Sequence, residues 1–237
     1  MSLKLEKVNL NLNNKQILTS LDIEFELRKI HFIIGPSGGG KSSMLRLLNA
    51  LNDPTSGKIY LDDIDYCKVH PRSLRKKVGM IFQKPALFEG TVYDNLIWGL
   101  KIQNMNINDN EIKSTLENLD IPINYLEKDI ENLSIGEQQR ICIVRSLLVN
   151  PEVLLFDEPV SALDPQRANK VLQLIKKINS DYNKTVFLVS HILDTALNIA
   201  DMIHFIYQGE ILFSGTKEEL LKVENSIIKD FMEGNNE

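Results

Sequence analysis

The chain has 237 residues, of which 43% are hydrophobic and 25% are charged, and it includes 12 glycines and 8 prolines. This ordinary globular composition excludes collagen-like, low-complexity and wholly disordered proteins, and the length predicts one domain with a sizeable hydrophobic core. The formal charge of -5 argues against nucleic acid as the main partner, because binding to a duplex usually requires a concentrated basic surface.

Strand and helix patterns alternate along most of the chain. Alternating or wholly apolar runs predict strands over residues 3–10, 21–27, 29–34, 57–63, 77–83, 153–156 and 185–189, and a strand pair around residues 208–209. Helical spacing and capping residues predict helices over residues 41–51, 134–150 and 164–179, and a further helix beginning at Thr216. The alternation predicts an α/β fold, with a mainly parallel sheet covered by helices on both faces.

Residues 86–132 have a different character from the rest of the chain. They combine Asn-rich polar stretches, the isolated Trp98 and a helical pattern over residues 111–119. We therefore predict a helical insertion between two parts of a sheet-based core. There is no internal repeat and no long linker, so residues 1–237 are expected to form a single domain with a C-terminal strand-helix tail from about residue 205.

Hydropathy and the cysteine count exclude further classes of protein. No stretch reaches the roughly 18 uninterrupted apolar residues that a bilayer-spanning helix needs, and the N-terminal residues lack the apolar centre of a signal peptide. Cys67 and Cys142 are too few for a disulfide framework and lack metal-ligand spacing. We expect the reducing cytosol as the compartment.

A phosphate-binding loop is predicted between the buried strand and the helix that follows it. The pattern G-x-x-x-x-G-K-[ST] is matched by Gly35, Pro36, Ser37, Gly38, Gly39, Gly40, Lys41 and Ser42, and Ser43 follows directly. Glycines let backbone N–H groups surround a phosphate chain, and a helix N-terminus favours negative charge. Lys41 would reach the β- and γ-phosphates of a bound nucleotide, and the Ser42 hydroxyl would bind Mg²⁺. The alternative is a glycine-rich turn without a ligand.

An acidic pair follows the apolar strand over residues 153–156. Asp157 would hold Mg²⁺, directly or through water, beside Ser42. Glu158 would orient and polarise the attacking water. Such a pair on its own is more often a polar strand end or a helix cap, but the phosphate loop favours the catalytic interpretation.

Further motifs resemble those of a known family. Residues 133–140 (LSIGEQQR) resemble the signature motif of the ATP-binding cassette (ABC) transporter ATPases. Gln83 resembles the Q-loop of that family, residues 161–164 (SALD) its D-loop, and His191 its switch histidine. The motifs follow the family's order, and the resemblance covers residues 3 to about 215.

The resemblance implies both a fold and an assembly. The fold would be a P-loop NTPase core with an N-terminal antiparallel β subdomain and an inserted α-helical subdomain. The assembly would be a head-to-tail dimer, a homodimer or a heterodimer of cassettes, around two molecules of ATP with Mg²⁺. Ser134, Gly136 and Glu137 of one copy would face the nucleotide held by Lys41 of the other copy. The alternative for Ser134 and Glu137 is a capping box without a ligand role.

The resemblance also implies roles for Gln83, His191 and Asp164. Gln83 would contact Mg²⁺ or the attacking water, and His191 would contact the γ-phosphate and support Glu158. The catalytic residues would therefore be Glu158, His191 and Gln83. Asp164 would cap its own helix and also contact the pocket across the dimer. The alternatives are a glutamine of no significance, a structural histidine and a simple helix cap.

The sequence departs from the family pattern in two places. The family usually has an aromatic residue before the phosphate loop that stacks on adenine, whereas this chain has Leu12 there and its first aromatic residue is Phe25. Weak discrimination between ATP and GTP is therefore our hypothesis. In the signature, Ile135 replaces the usual glycine and Glu137 the commoner glutamine. Ile135 can point away from the nucleotide, so we expect activity to survive.

The resemblance further implies a membrane partner. Because the chain has no predicted span, a transport pore would belong to a separate transmembrane permease, with the cassette attached peripherally at the inner face of the membrane. The family docks its permease on the helical insertion, where the candidates are Phe88, Tyr93, Leu96 and Trp98, with internal packing as the alternative. The rival class is a soluble cassette ATPase that acts on nucleic acid or ribosomes, but this chain has neither the long coiled coil nor the second cassette of those relatives.

Overall fold

The computed structural model describes residues 2–190 and 193–234. The strands are β1 (Ser2–Leu12), β2 (Lys15–Glu26), β3 (Ile30–Ile34), β4 (Ser56–Leu61), β5 (Ile64–Asp65), β6 (Val78–Ile81), β7 (Val153–Asp157), β8 (Thr185–Val189), β9 (Met202–Tyr207) and β10 (Glu210–Gly215). The helices are α1 (Lys41–Leu48), α2 (Pro71–Lys77), α3 (Val92–Ile102), α4 (Asp109–Asn118), α5 (Ile135–Leu148), α6 (Pro165–Tyr182), α7 (Leu193–Ile199), α8 (Lys217–Leu220) and α9 (Ser226–Met232). Within the described ranges, no helix has both the length and the apolar character needed to cross a membrane.

A mainly parallel sheet forms the centre of the protein. Its strand order is β10-β9-β3-β8-β7-β6, and every neighbouring pair is parallel except β9 with β10. All residues of β3, β7 and β8 are buried, which is typical of central parallel strands covered on both faces. The predicted α/β class is confirmed.

The two faces of this sheet belong to different hydrophobic clusters. Ile33 packs on one face with α1, α2 and the N-terminal strands, whereas Phe32 and Ile34 pack on the other face with α3, α5 and α6. Successive strand residues point to opposite faces, so β3 is held from both sides up to the point where the glycine loop begins.

A second, antiparallel sheet contains the N-terminal strands in the order β2-β1-β4-β5, which confirms the implied N-terminal β subdomain. The two sheets meet where the Thr19 N–H donates a hydrogen bond of 2.9 Å to the Gly209 carbonyl oxygen. The Gly209 N–H in turn donates to the Gly39 carbonyl oxygen at 3.0 Å. The turn between β9 and β10 therefore holds the glycine loop against β2.

The segment of residues 86–132 contains helices and turns, as predicted. Thr91 and Asp94 form a capping box at the start of α3, and the helix expected over residues 111–119 is α4. Leu96 of α3 is 0% exposed and lies in the core cluster that also contains α5 residues. The prediction that Leu96 lies at a docking surface is therefore wrong, because α3 turns this face towards the protein interior.

Other elements differ from the prediction in their bounds. β2 begins at Lys15, well before the predicted strand, because Ser20 (φ 46°) and shifts in the register with β1 interrupt the alternation. β9 begins at Met202 and pairs in parallel with β3, so the strand pair predicted around residues 208–209 is part of the central sheet. The helix expected at Thr216 is the short α8, and α2 and α3 have no counterparts among the individually predicted helices.

Candidate nucleotide-binding site

The loop between β3 and α1 requires glycine at both of its ends. Gly35 has a φ of 141°, and a Cβ atom there would lie 2.0 Å from the Ile206 carbonyl oxygen. Gly40 has a φ of 104°, and its Cβ would lie 2.7 Å from Leu18 Cδ2. Only glycine fits this backbone and this close approach of β9 and β2. The other predicted loop residues lie in the same turn and in the first turn of α1, namely Pro36, Ser37, Gly38, Gly39, Ser42 and Ser43.

Lys41 places a buried positive charge at the loop. Lys41 is only 6% exposed, and its Nζ donates hydrogen bonds of 2.8 Å to the carbonyl oxygens of both Gly35 and Pro36. Burial lowers the pKa of Lys41, while the charges of Glu158 and Asp157 oppose this effect. The ammonium group is therefore held by the loop itself, where phosphate oxygens would replace the carbonyl acceptors.

Ser42 and Asp157 form an oxygen pair beside the loop. The Ser42 hydroxyl donates to Asp157 Oδ1 at 2.6 Å, and Asp157 is 7% exposed at the end of β7. Among the described residues, no group of three or more His, Cys, Asp or Glu side chains gathers around a metal-sized space. A small number of oxygen ligands from the protein suits Mg²⁺, because this ion usually completes its coordination shell with phosphate oxygens and water. The pair thus fits the predicted metal role.

Glu158 follows Asp157 in an unusual backbone conformation. Its φ of 48° lies in the left-handed region, which residues other than glycine rarely adopt. Its N–H donates to the Val189 carbonyl oxygen at 3.1 Å, and its own carbonyl oxygen accepts a hydrogen bond of 3.1 Å from the Ser161 hydroxyl. These contacts fix the residue that is expected to orient water.

Gln83 lies in the loop after β6, beyond the strand end at Ile81. Its side-chain Nε2 donates to Ser161 Oγ at 3.0 Å, so Gln83 and the backbone of Glu158 share Ser161 as a partner. Gln139 of α5 is 1% exposed and donates to the carbonyl oxygen of Phe82, the residue before Gln83. Sequence reasoning placed Ser161 within the D-loop motif and Gln139 within the signature motif but gave neither residue a role of its own.

His191, the predicted switch histidine, lies outside the described residues. β8 ends at Val189, whose partner across the sheet is Asp157. The strand predicted immediately before His191 is confirmed over residues 185–189. The role of His191 stays a prediction.

The signature residues form the start of α5. The Ser134 side chain caps the helix by accepting from the Glu137 N–H, and the Glu137 carboxylate accepts from the Ser134 N–H at 2.8 Å, which makes a capping box. Glu137 also accepts hydrogen bonds from the hydroxyls of Ser134 and Tyr125. These bonds lower the pKa of Glu137 to about 2. The capping box itself is thus present within the single chain, and a contact of Ser134 or Glu137 with nucleotide stays a prediction.

A cavity of about 280 Å³ opens beside this helix start. Its wall includes Ser134, Gly136 and the acidic Glu137 together with three basic side chains, those of Arg140, Arg167 and Lys170. Among the described residues, its lining includes no member of the glycine loop. Positive charge around a helix N-terminus suits an anion. The chain therefore has two separate places that suit phosphate.

Asp164 caps α6, as expected. Its side chain accepts hydrogen bonds from the backbone N–H groups of Gln166 (3.1 Å) and Arg167 (3.0 Å), and it pairs with the Arg167 guanidinium at 3.3 Å. Pro165 occupies the first position of the helix. The contact of Asp164 across a dimer stays a prediction.

The two departures from the family pattern have clear positions. Leu12 is 37% exposed at the end of β1. Phe25 is 1% exposed and packs edge-on against Phe187 at 4.9 Å between ring centroids, so it is not available to stack on a base. Ile135 is 56% exposed, in agreement with a side chain that points away from its own core.

The glycine-bounded loop follows a central strand of a mainly parallel sheet and leads into a helix that begins with a buried lysine. This arrangement defines a P-loop nucleotide-binding domain. The described Ser42–Asp157 pair belongs to the same arrangement. The family model for ABC transporters matches residues 18–161. The chain belongs to the ABC transporter family, as a nucleotide-binding domain.

Relatives and solved structures agree with this assignment. The chain is 35% identical to the phosphate import ATP-binding protein PstB of Thermotoga maritima, over 98% of this chain and 97% of the relative. It is 36% identical to protein STAR1 of rice, over 92% of this chain and 63% of STAR1. The structure of cbiO1 from Clostridium perfringens, part of the ABC transporter complex cbiONQ, matches with a TM-score of 0.83 and 26% identity, over 97% of this chain and 94% of that chain. A bacterial Atm1-family ABC exporter with ATP bound matches with a TM-score of 0.85 and 28% identity, over all of this chain and 42% of that chain.

Proposed function

We propose that this chain is the ATP-hydrolysing subunit of an ABC transporter, which closes head to tail around two Mg²⁺–ATP and drives a separate membrane-spanning subunit. The observation that carries the proposal is the presence of two phosphate-type half-sites in one chain. One is the glycine loop with the buried Lys41, and the other is the start of α5 with Ser134 and its basic cavity. Two copies in opposite orientation would pair each half-site with the other.

Each residue of the loop site has a task in this proposal. Lys41 binds the oxygens of the terminal phosphates and offsets their charge. Ser42 and Asp157 hold Mg²⁺, which when bound supplies charge neutralisation at the reacting phosphate. Glu158 accepts a proton from the attacking water, and Gln83 and His191 orient that water and the γ-phosphate.

The second half-site would complete the pocket from the partner copy. Ser134 offers a hydroxyl, and Gly136 a backbone N–H, at the positive end of α5. A Cβ atom on Gly136 would lie 3.5 Å from both Leu163 and Arg167, so the helix start is closely packed against the Asp164 region. Signature and D-loop residues of one copy would therefore meet the nucleotide together.

The membrane partner would dock on an aromatic patch of the helical segment, formed by Phe88 and Trp98. These residues are 50% and 46% exposed, and their ring centroids are 4.9 Å apart. Exposed aromatic pairs are typical of protein interaction sites. PstB and cbiO1 are named for import and for an ABC transporter complex, which supports a transport role for this chain.

The shared pocket can be tested by mixing two inactive variants. Ser134→Ala and Lys41→Ala copies should together recover up to about a quarter of wild-type ATP turnover, since half of randomly mixed dimers contain both copies and each of these carries one intact pocket. A mixture of Ser134→Ala with the double variant Lys41→Ala/Ser134→Ala cannot form an intact pocket and is the matched control. Recovery no greater than in this control would overturn the head-to-tail dimer.

The transport role needs a separate experiment. A tagged copy should retain a protein with several membrane spans when it is purified from detergent-solubilised membranes of its own cells. Copurification of ribosomes or nucleic acid without such a protein would overturn the transport role and favour the non-transport cassette ATPase instead.

A further inference from the structure

The serine of the signature is engaged by a carboxylate of its own chain. Ser134 Oγ donates to Glu137 Oε2 at 2.6 Å, and the Ser134 N–H donates to the same oxygen at 2.8 Å. The other carboxylate oxygen, Oε1, accepts a hydrogen bond from the Tyr125 hydroxyl. Glu137 therefore holds the one proton that the Ser134 hydroxyl can donate.

Glu137 also brings a full negative charge to this place. The hydrogen bonds from Ser134 and Tyr125 lower the pKa of Glu137 to about 2, although burial opposes them, so the carboxylate is ionised at neutral pH. Two of the three basic side chains of the cavity also bind other groups, while Lys170 is the third. Arg140 donates to the Asp120 carbonyl oxygen at 2.6 Å, and Arg167 pairs with Asp164 at 3.3 Å. An incoming phosphate would meet this carboxylate beside the serine.

We propose that Glu137 restrains closure of the dimer around ATP, because its carboxylate competes with the terminal phosphate for the Ser134 hydroxyl and repels the phosphate charge. The inference rests on the proposed function and assigns regulation to the same site. Closure must break the Ser134–Glu137 hydrogen bond or proceed without that donor. Like charges brought within contact distance oppose closure further. Glu137 thereby sets the ATP concentration at which two copies associate.

Substitution of Glu137 by glutamine separates this role from helix capping. An amide oxygen can still accept from the Ser134 N–H and hydroxyl, so the capping geometry is retained. A neutral acceptor holds the hydroxyl less strongly than a carboxylate, and the repulsion is absent. The ATP concentration for half-maximal dimerisation should therefore fall about tenfold.

The experiment compares Glu158→Gln with Glu137→Gln/Glu158→Gln, since the Glu158 change blocks hydrolysis and leaves association to be measured. Sedimentation velocity over a range of Mg²⁺–ATP concentrations gives the half-maximal point for each protein. The difference should shrink in 0.5 M NaCl, because salt at about this concentration screens exposed charges within a few ångströms. A purely structural effect of the substitution would not depend on salt in this way.

Two control variants test the assignment to charge. Glu219→Gln makes the same change in the capping box of α8, where Glu219 Oε2 accepts from the Thr216 N–H at 2.7 Å, and it should leave the half-maximal point unchanged. Tyr125→Phe removes a donor to Glu137 but keeps the charge, so it should not lower the ATP requirement. Thermal unfolding of every variant checks that the fold is retained.

The outcomes distinguish the inference from the proposed function. If Glu158→Gln forms no ATP-dependent dimer, the proposed dimer fails and the role of Glu137 fails with it. If Glu158→Gln dimerises and the added Glu137→Gln change leaves the ATP requirement equal or higher, only the role of Glu137 is overturned. The same follows if Tyr125→Phe lowers the requirement as much as Glu137→Gln does, because loosening of the cap would then be sufficient.

Discussion

Substitutions at Lys41 and Glu158 should separate nucleotide binding from hydrolysis. Lys41 is the buried cation of the loop, so Lys41→Ala should weaken ATP binding by about 10- to 100-fold through loss of charge-assisted hydrogen bonds. Glu158→Gln keeps that cation and should retain ATP affinity while lowering turnover by about 100-fold or more. Binding of a fluorescent ATP analogue and release of phosphate measure the two effects.

The matched control for this comparison is Lys222→Ala, which removes an exposed lysine after α8 and should change neither quantity. Unchanged ATP affinity in Lys41→Ala would contradict the loop assignment. Wild-type turnover in Glu158→Gln would contradict the proton-accepting role of that carboxylate.

Base selectivity is expected to be weak because the chain has Leu12, and no aromatic residue, where the family usually places the one that stacks on adenine. Leu12 is exposed at the end of β1, and the buried Phe25 ring packs against Phe187 and His31. Loss of a stacking contact costs about 1 kcal/mol, so the dissociation constants for ATP and GTP should agree within about tenfold. Competition of the two nucleotides for the isolated chain measures the ratio. A preference for ATP above about 100-fold would contradict this prediction.

The candidate nucleotide-site residues could be predicted from the sequence, whereas their supporting contacts could not. Asp157 ends the apolar strand β7, and Lys41 and Ser42 begin the helix after the loop that follows the apolar strand β3. Parallel strands bring such carboxyl ends to one edge of a sheet. Tyr125 meets Glu137 only because a short 3₁₀ turn, Ile123–Glu127, packs beside α5. No local pattern specifies that contact, because it depends on tertiary packing.

At the scale of the elements, a buried histidine pair joins the central strands. His31 of β3 and His204 of β9 are each 1% exposed, with His31 Nδ1 3.0 Å from His204 Nε2. His31 Nε2 lies 2.7 Å from the Glu26 carbonyl oxygen, and His204 Nδ1 lies 2.9 Å from Ser214 Oγ. Burial lowers the pKa of His31, although Asp201 and Glu26 oppose the effect, and burial together with His31 lowers the pKa of His204 to about 3.

The histidine pair should make the fold sensitive to acid. The unfolded chain binds protons on these histidines below pH 6.5, whereas folded His204 binds one only near pH 3. The contribution to stability is therefore fully present above pH 6.5 and is lost as the pH falls from there towards 3. Within that window, His204 alone should change the free energy of unfolding by about 1.4 kcal/mol per pH unit.

Urea unfolding between pH 7.5 and 5.5 tests this dependence. His204→Asn keeps hydrogen-bonding atoms but does not titrate, so the slope of the unfolding free energy against pH should become shallower. His70→Asn, at the exposed cap of α2, is the matched control and should leave the slope as in the wild type. Equal slopes for all three proteins would contradict a role for the buried pair.

The same residues explain where element prediction failed. A buried histidine at position 204 breaks the apolar run that would have marked β9 as a central strand. The left-handed residue Ser20 breaks the period-2 pattern of β2, because each shift in register moves later side chains to the opposite face. Strands without such interruptions, β7 and β8, were predicted almost to the residue.

At the scale of the whole molecule, the two half-sites are carried by different parts of the structure. The glycine loop is held by β3, β9 and β2 of the two sheets, whereas Ser134 begins α5, which packs with α3 and α4 of the helical segment. Gln83 and Gln139 connect the two parts through Ser161 and the Phe82 carbonyl oxygen. A sequence predicts each of these two places locally, and in the proposed dimer they would meet only between two copies of the chain.

The aromatic patch of Phe88 and Trp98 should carry the docking of the membrane subunit. Trp98 is 46% exposed and packs at a tilt against Phe88, which lies beside the Arg145 guanidinium. Central aromatic residues often dominate the binding energy of an interface. Trp98→Ala should lower recovery of the membrane-spanning protein by about tenfold in purification from solubilised membranes. Leu221→Ala removes another exposed apolar side chain, 57% exposed after α8, and should not affect recovery. Equal recovery with Trp98→Ala and wild type, at unchanged thermal stability, would place the docking surface elsewhere on the chain.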